Sequence, residues 1–539
     1  MAARRVLAIG LDGYEPSLED ELVAAGELPA IAELRRRSAR FQLDHGPAQR
    51  TGLAWEHFSS GLAPQDADRW AAVTFDPASY SARQEGTRLE PFVARLDLRS
   101  VVFDPPYFDL ERAPNALGVT GWGAHDPGVP PGARPRELSS EIESRFGAYP
   151  AAEWIYGFAW PSADRCDQMG QALARATDLR TRAARWLLGE RLPGWDLGVV
   201  VVSEPHSAIE GLWHGVDARH PLHDLPSAGP AGEGLRGVYR ATDRLVRDLI
   251  ASSGDAVVIV FSMGGMGANR SDAASMLLLP ELLYRHAFGH ALLQQPAEWT
   301  AAPNGIPQLG ESGSWSARMI SLIPEPRSDA AHGALRRALS RSVPETVKGV
   351  ARRIAGRADA APDRSALGWM PAARYRAWWH AMPAFALPSF YDGRVRVNLV
   401  GRESRGKVAA SEYERTCDAI EALVRACRDP ATGESVVDFV ERPADGRDPR
   451  AIGDTEADLV FVWKGALAFD HPSLGRIGPV PFRRTGGHTG PFGMAYLCGP
   501  EIAPGDFGVR SSFDVVPTLI DLLGRPVPSH LSGASLLSA

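Results

Sequence analysis

The sequence predicts an α/β protein whose mostly parallel central sheet is flanked by helices. Continuous apolar runs occur at 197–204 and 255–262, and such runs are typical of strands that are buried on both faces of a parallel sheet. Segments with apolar residues at helical spacing lie at 235–252 and 412–429. The alternation of the two patterns along the chain indicates strands joined by helices.

Further elements are predicted on both sides of these segments. An apolar run at 5–11 predicts a first strand that ends at Asp12. A last helix is predicted over 513–524, because Gly524 and Pro526 end its apolar pattern. Three apolar runs in the C-terminal half predict additional strands, at 394–400, 457–463 and 493–499.

The composition of the 539 residues is that of a soluble globular protein, with 44% apolar and 23% charged residues. The formal net charge of −7 gives no reason to expect nucleic acid as a partner. No apolar run reaches the roughly 18 residues that a membrane span needs. The apolar run at the N-terminus is too short for a signal peptide, and the four cysteines form no Cys-x-x-Cys pair. We therefore predict a reduced, cytoplasmic protein without a membrane partner.

The length exceeds that of most single domains, so we expect a core that carries insertions. The predicted core comprises 1–299 and 381–539, and within it 74–190 is a less recognisable insertion. The Arg- and Ala-rich segment 300–380 is predicted as a helical insertion or cap. It is either a solvated excursion or a lid over a substrate site.

Residues that could take part in catalysis or metal binding follow several of the predicted strands. The carboxyl ends of parallel strands meet at one edge of a sheet, so these residues can lie close together. Asp12 could bind a metal ion there, or it could cap a turn. Thr51 precedes a helix-like run, where it could be a nucleophile or simply an N-cap. Arg50 beside it is a candidate contact for an anionic substrate group, or else a surface arginine.

An imidazole and a carboxylate follow the predicted strand at 197–204. His206 and Glu210 are four residues apart, so on a helix they share one face and could chelate one divalent ion or form an ion pair. His488 lies in a glycine-rich loop, where a single histidine more often has no ligand role. None of these residues alone identifies a function, but their order along the chain is informative.

That order resembles the alkaline phosphatase superfamily, in particular its type I phosphodiesterase/nucleotide pyrophosphatase branch. The segments that carry the resemblance are IGLDGYEP, RTGLAWEHFSSGLAP, GWDLGVVVVSEPHSAIEGLWH, GGHTGPFGMAYLCGPEIAPG and FDVVPTLIDLLGRPVPSHLSG. The resemblance implies an alkaline-phosphatase-like fold with inserted cap or lid segments and two divalent ions, typically zinc. It implies that Asp12 and a nucleophilic Thr51 hold one ion, and that His206, Glu210 and His488 hold the other. The family usually has an Asp and, four residues later, a His at the positions of His206 and Glu210, so here the imidazole and the carboxylate have traded places and the number of ligands is unchanged.

The sequence departs from this family after the predicted strand at 255–262. The S-D-H-G loop of the family corresponds here to Ser262–Gly265, in which Met263 and Gly264 replace both ligands. A thioether is a poor ligand for hard divalent ions, and glycine has no side chain. Asp12 and Thr51 alone would hold an ion weakly, so we expect a diverged centre with a single metal at the other site.

The expected function is that of a metal-dependent, phosphodiesterase- or phosphatase-like hydrolase. Its expected substrate is a phosphate ester, a phosphodiester or a similar small anionic metabolite. One or two divalent ions are expected, with zinc first and manganese or iron as alternatives. Two other functions stay open: a repurposed metalloenzyme that performs group transfer, elimination or non-haem-iron-type chemistry, and a catalytically silent binding protein.

Overall fold

The computed structural model describes residues 5–123, 129–155, 162–302, 305–309, 314–325 and 367–538. Contacts within the chain define two compact units. The first unit comprises Met1–Ala72, Glu85–Arg270 and Phe482–Ala539, and the second comprises Val73–Gln84 and Ser271–Pro481. Much of the predicted insertion at 300–380 lies outside the described residues, so the predicted domain bounds stay a prediction.

A nine-stranded mixed sheet forms the centre of the first unit, counted over the described residues. Two of its strands, Gly132–Arg134 and Gly493–Cys498, run antiparallel to their neighbours, and every other neighbouring pair is parallel. The predicted α/β fold with a mostly parallel sheet is therefore confirmed. In spatial order the strands are Gly505–Ser511, Ala39–Asp44, Gly493–Cys498, Val257–Ser262, Val6–Leu11, Leu197–Val202, Ser100–Phe103, Ala116–Thr120 and Gly132–Arg134.

Three predicted strands lie side by side in the middle of this sheet. Val6–Leu11 pairs in parallel with Leu197–Val202 on one side and with Val257–Ser262 on the other. Every residue of the three strands is buried, which explains their continuous apolar runs. Their carboxyl ends meet at one edge, where Asp12 and Met263 follow directly.

Two long helices, Ala163–Trp186 and Ala228–Ser252, pack against each other in the first unit. The second of them contains the helix predicted at 235–252, and it begins earlier than the apolar spacing indicates. None of the helices that the structure describes is long and apolar enough to cross a membrane. The other α-helices of this unit are Pro16–Ala24, Pro29–Arg37, Ala54–Ser60, Pro64–Ala67, Leu138–Phe146, Glu204–Leu212 and Val515–Leu522.

The second unit contains a four-stranded antiparallel sheet. Its strands, in spatial order, are Ala384–Leu387, Gly393–Val397, Leu459–Trp463 and Val437–Glu441. Two short antiparallel pairs accompany it, Val73–Asp76 with Ser81–Gln84 and Phe469–His471 with Gly475–Ile477. The described α-helices of this unit are Leu279–Phe288, Ala297–Thr300, Trp315–Ser321, Arg376–Trp379 and Tyr413–Arg425.

The strand predicted at 394–400 forms, but it belongs to this antiparallel sheet and not to the central one. Its sequence alternates arginine with valine, a pattern that suits an antiparallel sheet better than a buried parallel one. Both arginines are buried because carboxylates neutralise them. Arg394 lies 3.0 Å from Asp392, and Arg396 lies 2.7 Å from Glu403.

Glu19 is a fully buried carboxylate in the first unit, on the helix Pro16–Ala24. The Tyr496 hydroxyl donates a hydrogen bond to it, and the Arg35 guanidinium lies 3.3 Å away. The cost of burying the charged form outweighs both contacts and raises the pKa of Glu19 to about 7. The folded protein therefore holds this proton more tightly than the unfolded chain does.

We expect Glu19→Gln to change the pH dependence of stability. A raised pKa contributes stability that is fully present below pH 4.5, the ordinary value for glutamate, and that is lost as the pH rises to about 7. The free energy of unfolding of the variant, relative to that of the wild type, should therefore increase by up to about 3 kcal/mol between pH 4.5 and about 7. Urea denaturation at several pH values measures the difference. The exposed Glu21→Gln on the same helix is the control, and a pH-independent difference for Glu19→Gln would contradict the prediction.

Candidate metal centre

The helix Glu204–Leu212 starts directly after the central strand Leu197–Val202 and carries two candidate ligands. Pro205 and an acidic residue in its first turn favour the start of a helix at this point. Every residue of the helix is buried, and His206 and Glu210 are only 5% and 1% exposed. The helix after this strand thus places an imidazole and a carboxylate in the protein interior.

His206, Glu210 and His488 lie together, as the sequence analysis expected. One ligand atom from each residue lies within 4.8 Å of the others, and no other such group occurs among the residues that the structure describes. Nε2 of His206 lies 3.3 Å from Oε1 of Glu210 and 3.1 Å from Nε2 of His488. The two imidazole rings are inclined at 80°.

The chemistry of this donor set fits a divalent cation. Burial lowers the pKa of His488 well below its ordinary value, and the neighbouring His206 and Arg484 lower it further. A neutral imidazole is the form that binds metals. Oε2 of Glu210 is buried and has no hydrogen-bond partner among the described residues. Two imidazoles and one carboxylate are a common ligand set for zinc and for other transition metals.

Asp12 contacts the opposite side of the His206 ring. Its Oδ2 lies 3.0 Å from Nδ1 of His206, and its Oδ1 accepts a hydrogen bond of 2.7 Å from the indole of Trp55. The Asp12 backbone N–H donates to the Val202 carbonyl at 2.9 Å, which fixes the residue at the strand end. A carboxylate in this position orients the imidazole so that its other nitrogen faces a metal. Direct ligation by Asp12 stays a prediction.

Thr51 is the last residue of the 3₁₀ helix Gly46–Thr51 and is buried. Its hydroxyl donates to the Ala48 carbonyl at 2.7 Å and accepts a hydrogen bond from the Leu53 N–H at 3.1 Å. Leu53 is the N-cap of the following helix Ala54–Ser60, so Thr51 stabilises the turn before that helix and does not cap it.

A hydrogen bond connects the Thr51 segment to the metal-ligand candidates. Trp55, in the helix that follows Thr51, is the residue that donates to Asp12. The segment is thereby attached to the same edge of the central sheet. Arg50 is half-buried, and its predicted contact with an anion stays a prediction.

The loop after the central strand Val257–Ser262 brings neither a carboxylate nor an imidazole at Met263 and Gly264. Met263 is buried, and a Cβ atom added to Gly264 would lie 3.8 Å from the side-chain nitrogen of Gln49. That nitrogen donates to the Gly490 carbonyl at 2.8 Å. The space facing Gly264 is thus lined by a carboxamide, which the sequence analysis did not identify.

Glycines in this loop allow two backbones to approach closely. The strand Gly265–Ala268 pairs in antiparallel fashion with Gly486–Gly490, the strand that carries His488. The Glu15 carboxylate lies against both strands: added Cβ atoms at Gly265 and Gly490 would lie 2.5 and 2.3 Å from its Oε2. Side chains at these two glycines would therefore separate the strands and displace His488.

Arg484 is a further charged residue of this site, and the sequence analysis did not single it out. Its guanidinium contacts the Glu210 carboxylate, and both side chains are buried. Burial lowers the pKa of Arg484 to about 9, which leaves the guanidinium charged at neutral pH. An arginine four residues before His488 is a weak signal, because its contact with Glu210 depends on how two distant segments pack.

A buried charge network holds the start of the helix Glu204–Leu212. Arg180 is fully buried and lies 2.9 Å from Glu204 and 2.9 Å from Asp104. Asp104 follows the strand Ser100–Phe103, and it accepts two more hydrogen bonds from backbone N–H groups. The network therefore links the helix that carries His206 and Glu210 to a neighbouring strand of the sheet.

Comparison with known proteins shows the fold. No family model matches the chain, and no curated protein matches its sequence. The structure is similar to phosphonoacetate hydrolase from Sinorhizobium meliloti 1021 in complex with phosphonoformate, with a TM-score of 0.50, 13% identity, and 97% of this chain and 96% of that chain covered. The complex of the same hydrolase with phosphonoacetate has a TM-score of 0.50 at 12% identity, with 97% and 95% covered.

An inactive form of murine ectonucleotide pyrophosphatase/phosphodiesterase 5 in complex with AMP has a TM-score of 0.44 at 11% identity, with 98% of this chain and 97% of that chain covered. The likeness to the phosphonoacetate hydrolase covers nearly the whole chain. It confirms the alkaline-phosphatase-like fold that the resemblance in sequence implied.

We expect Arg180→Met to destabilise the protein by about 3–5 kcal/mol, because it leaves the carboxylates of Asp104 and Glu204 buried without a counter-charge. The free energy of unfolding from urea denaturation measures the loss. Arg244→Met is the matched control, since Arg244 forms an exposed ion pair with Asp178 and should change stability by less than about 1 kcal/mol. Equal effects of the two substitutions would contradict the proposed role of the network.

Proposed function

We propose that the protein is a metal-dependent hydrolase of small anionic metabolites that contain a phosphate ester, phosphodiester or phosphonate group. The convergence of His206, Glu210 and His488 on one point is the observation that carries this proposal. The substrate class is supported by the similar phosphonoacetate hydrolase, which binds phosphonoformate and phosphonoacetate. We infer a single divalent ion, because Met263 and Gly264 offer no ligand for a second one.

Zinc is the first candidate for this ion, and manganese and iron are alternatives. The residues that would hold it are His206 and His488 through Nε2 and Glu210 through its carboxylate. A bound divalent ion would supply a Lewis acid that polarises a phosphoryl oxygen. Asp12 accepts a hydrogen bond from Nδ1–H of His206, so Nε2 of the ring faces the centre.

Thr51 is the proposed nucleophile. In the described conformation its hydroxyl proton is directed to the Ala48 carbonyl, which cannot act as a base. For attack on phosphorus the hydroxyl would leave that carbonyl. The bond from its oxygen to phosphorus would form, the bond from phosphorus to the leaving oxygen would break, and the hydroxyl proton would pass to that leaving oxygen. Arg50, the residue before Thr51, is the proposed contact for the anionic group of the substrate, since a guanidinium binds phosphate oxygens in bidentate fashion.

Metal content tests the centre itself. Wild-type protein loaded with excess zinc and desalted should retain about one ion per chain. His206→Ala, His488→Ala and Glu210→Ala should each lose it, because two ligands alone hold a divalent ion poorly. Elemental mass spectrometry measures the ratio, and the exposed His530→Ala is the control. Retention of zinc by Glu210→Ala would contradict the assigned ligand set.

Turnover tests the nucleophile. We expect Thr51→Ala to lower kcat by at least about 1,000-fold, while Thr51→Ser, which keeps the hydroxyl, stays within about tenfold of the wild type. The substrates are p-nitrophenyl phosphate, bis-p-nitrophenyl phosphate and phosphonoacetate. Similar rates for the two variants would indicate that the Thr51 hydroxyl only stabilises the turn and that water is the nucleophile.

The two other functions are distinct outcomes of these experiments. A protein that binds one metal ion but hydrolyses none of the phosphorus substrates would be a repurposed metalloenzyme. A protein that binds no divalent ion under any loading condition would be a silent binding protein on a hydrolase fold. His206 and Glu210 stand where the family usually has an Asp and a His, so the number of metal-binding side chains is preserved. This compensation favours a working metal site over the silent alternative.

A further inference from the structure

Arg484 places a buried positive charge against one of the candidate metal ligands. Its guanidinium contacts the carboxylate of Glu210, and the two side chains are 5% and 1% exposed. We propose that Arg484 competes with the divalent cation for Glu210, so that the cation must displace the guanidinium from this carboxylate in order to bind. The inference rests on the proposed function, because it requires Glu210 to be a ligand.

The distribution of contacts around Glu210 supports this competition. Oε1 is the oxygen that faces Nε2 of His206, at 3.3 Å, and it is also the oxygen that the Arg484 guanidinium contacts. Oε2 is buried and has no hydrogen-bond partner among the described residues. Without a cation, Arg484 is the charged group in contact with the carboxylate. With a cation, a guanidinium and a divalent ion would share one buried carboxylate, and their mutual repulsion is strong where water is excluded.

The backbone of the arginine segment is fixed against the ligand helix, so only the side chain of Arg484 can give way. The N–H of Thr485, the next residue, donates to the Glu210 carbonyl at 2.9 Å. A Cβ atom added to Gly486 would lie 2.2 Å from the Ile209 carbonyl, which shows how closely the two backbones approach. The segment therefore keeps the backbone of Arg484 beside Glu210 whether or not a cation is bound.

Loss of Arg484 should affect the two states of the centre in opposite directions. The metal-free protein would retain a buried carboxylate without a counter-charge and would be less stable. The loaded protein would lose a repulsive neighbour of the cation. Metal affinity should therefore increase while the stability of the metal-free protein decreases. A purely structural role of Arg484 would instead weaken metal binding together with stability.

Zinc affinity and thermal stability of the full-length chain test this inference. We expect Arg484→Met to lower the Kd for zinc by at least about tenfold, measured by competition with a chromophoric chelator. The Tm of the metal-free variant should fall, and added zinc should raise it by more than it raises the Tm of the wild type. Arg483→Met is the matched control, because it removes the same charge from the adjacent position.

Should Arg484→Met fail to fold, Arg484→Gln keeps hydrogen-bond donors in the site without the charge and should show the same gain in affinity. An unchanged or higher Kd in the folded variant would overturn the competition while leaving the proposed metal centre intact. Absence of zinc and manganese binding in both the wild type and the variant would overturn the proposed function and this inference together. A similar gain in Arg483→Met would also overturn it, because it would indicate a general charge effect.

Discussion

The close approach of two glycine-rich strands is the constraint on which the site depends. Gly265–Ala268 and Gly486–Gly490 come from distant parts of the chain, and the Glu15 carboxylate leaves no room for side chains at Gly265 and Gly490. This pairing brings His488 to the end of the central sheet, where the helix after the strand Leu197–Val202 carries His206 and Glu210. The segment after the strand Val257–Ser262 therefore has a structural role, although Met263 and Gly264 supply no metal ligand.

Charged groups buried around this edge act on a single helix. Arg180 neutralises the residue at its first position, and Asp12 orients the imidazole of His206 on its first turn. Arg484 neutralises Glu210 one turn further along. Each contact pairs a buried charge or satisfies a buried hydrogen-bond donor. The helix can therefore carry polar residues although all of its positions are buried.

The sequence predicts the central part of this architecture well. Continuous apolar runs identify the middle strands because both faces of those strands are covered, and the four-residue spacing of His206 and Glu210 identifies a shared helix face. The sequence does not reveal Arg484 or Gln49, since their contacts depend on the register between segments that are far apart in the chain. An apolar run likewise predicts a strand but not its partners: the run at 394–400 predicts a strand, and only the structure shows that this strand lies in an antiparallel sheet.

The spacing of His206 and Glu210 also bears on the history of such a site. Two residues one turn apart on a buried helix can reach the same point, but Asp12 lies against the first of them and the Arg484 guanidinium against the second. An exchange of the two would place a carboxylate against Asp12 and an imidazole against Arg484, so these neighbouring charges would have to change with it. The crowded glycines at 265 and 490 are different, because any larger residue there would require the Glu15 carboxylate to move first. The neighbouring charges thus fix the order of the two residues on the helix, and the glycine strands fix the space in which His488 approaches them.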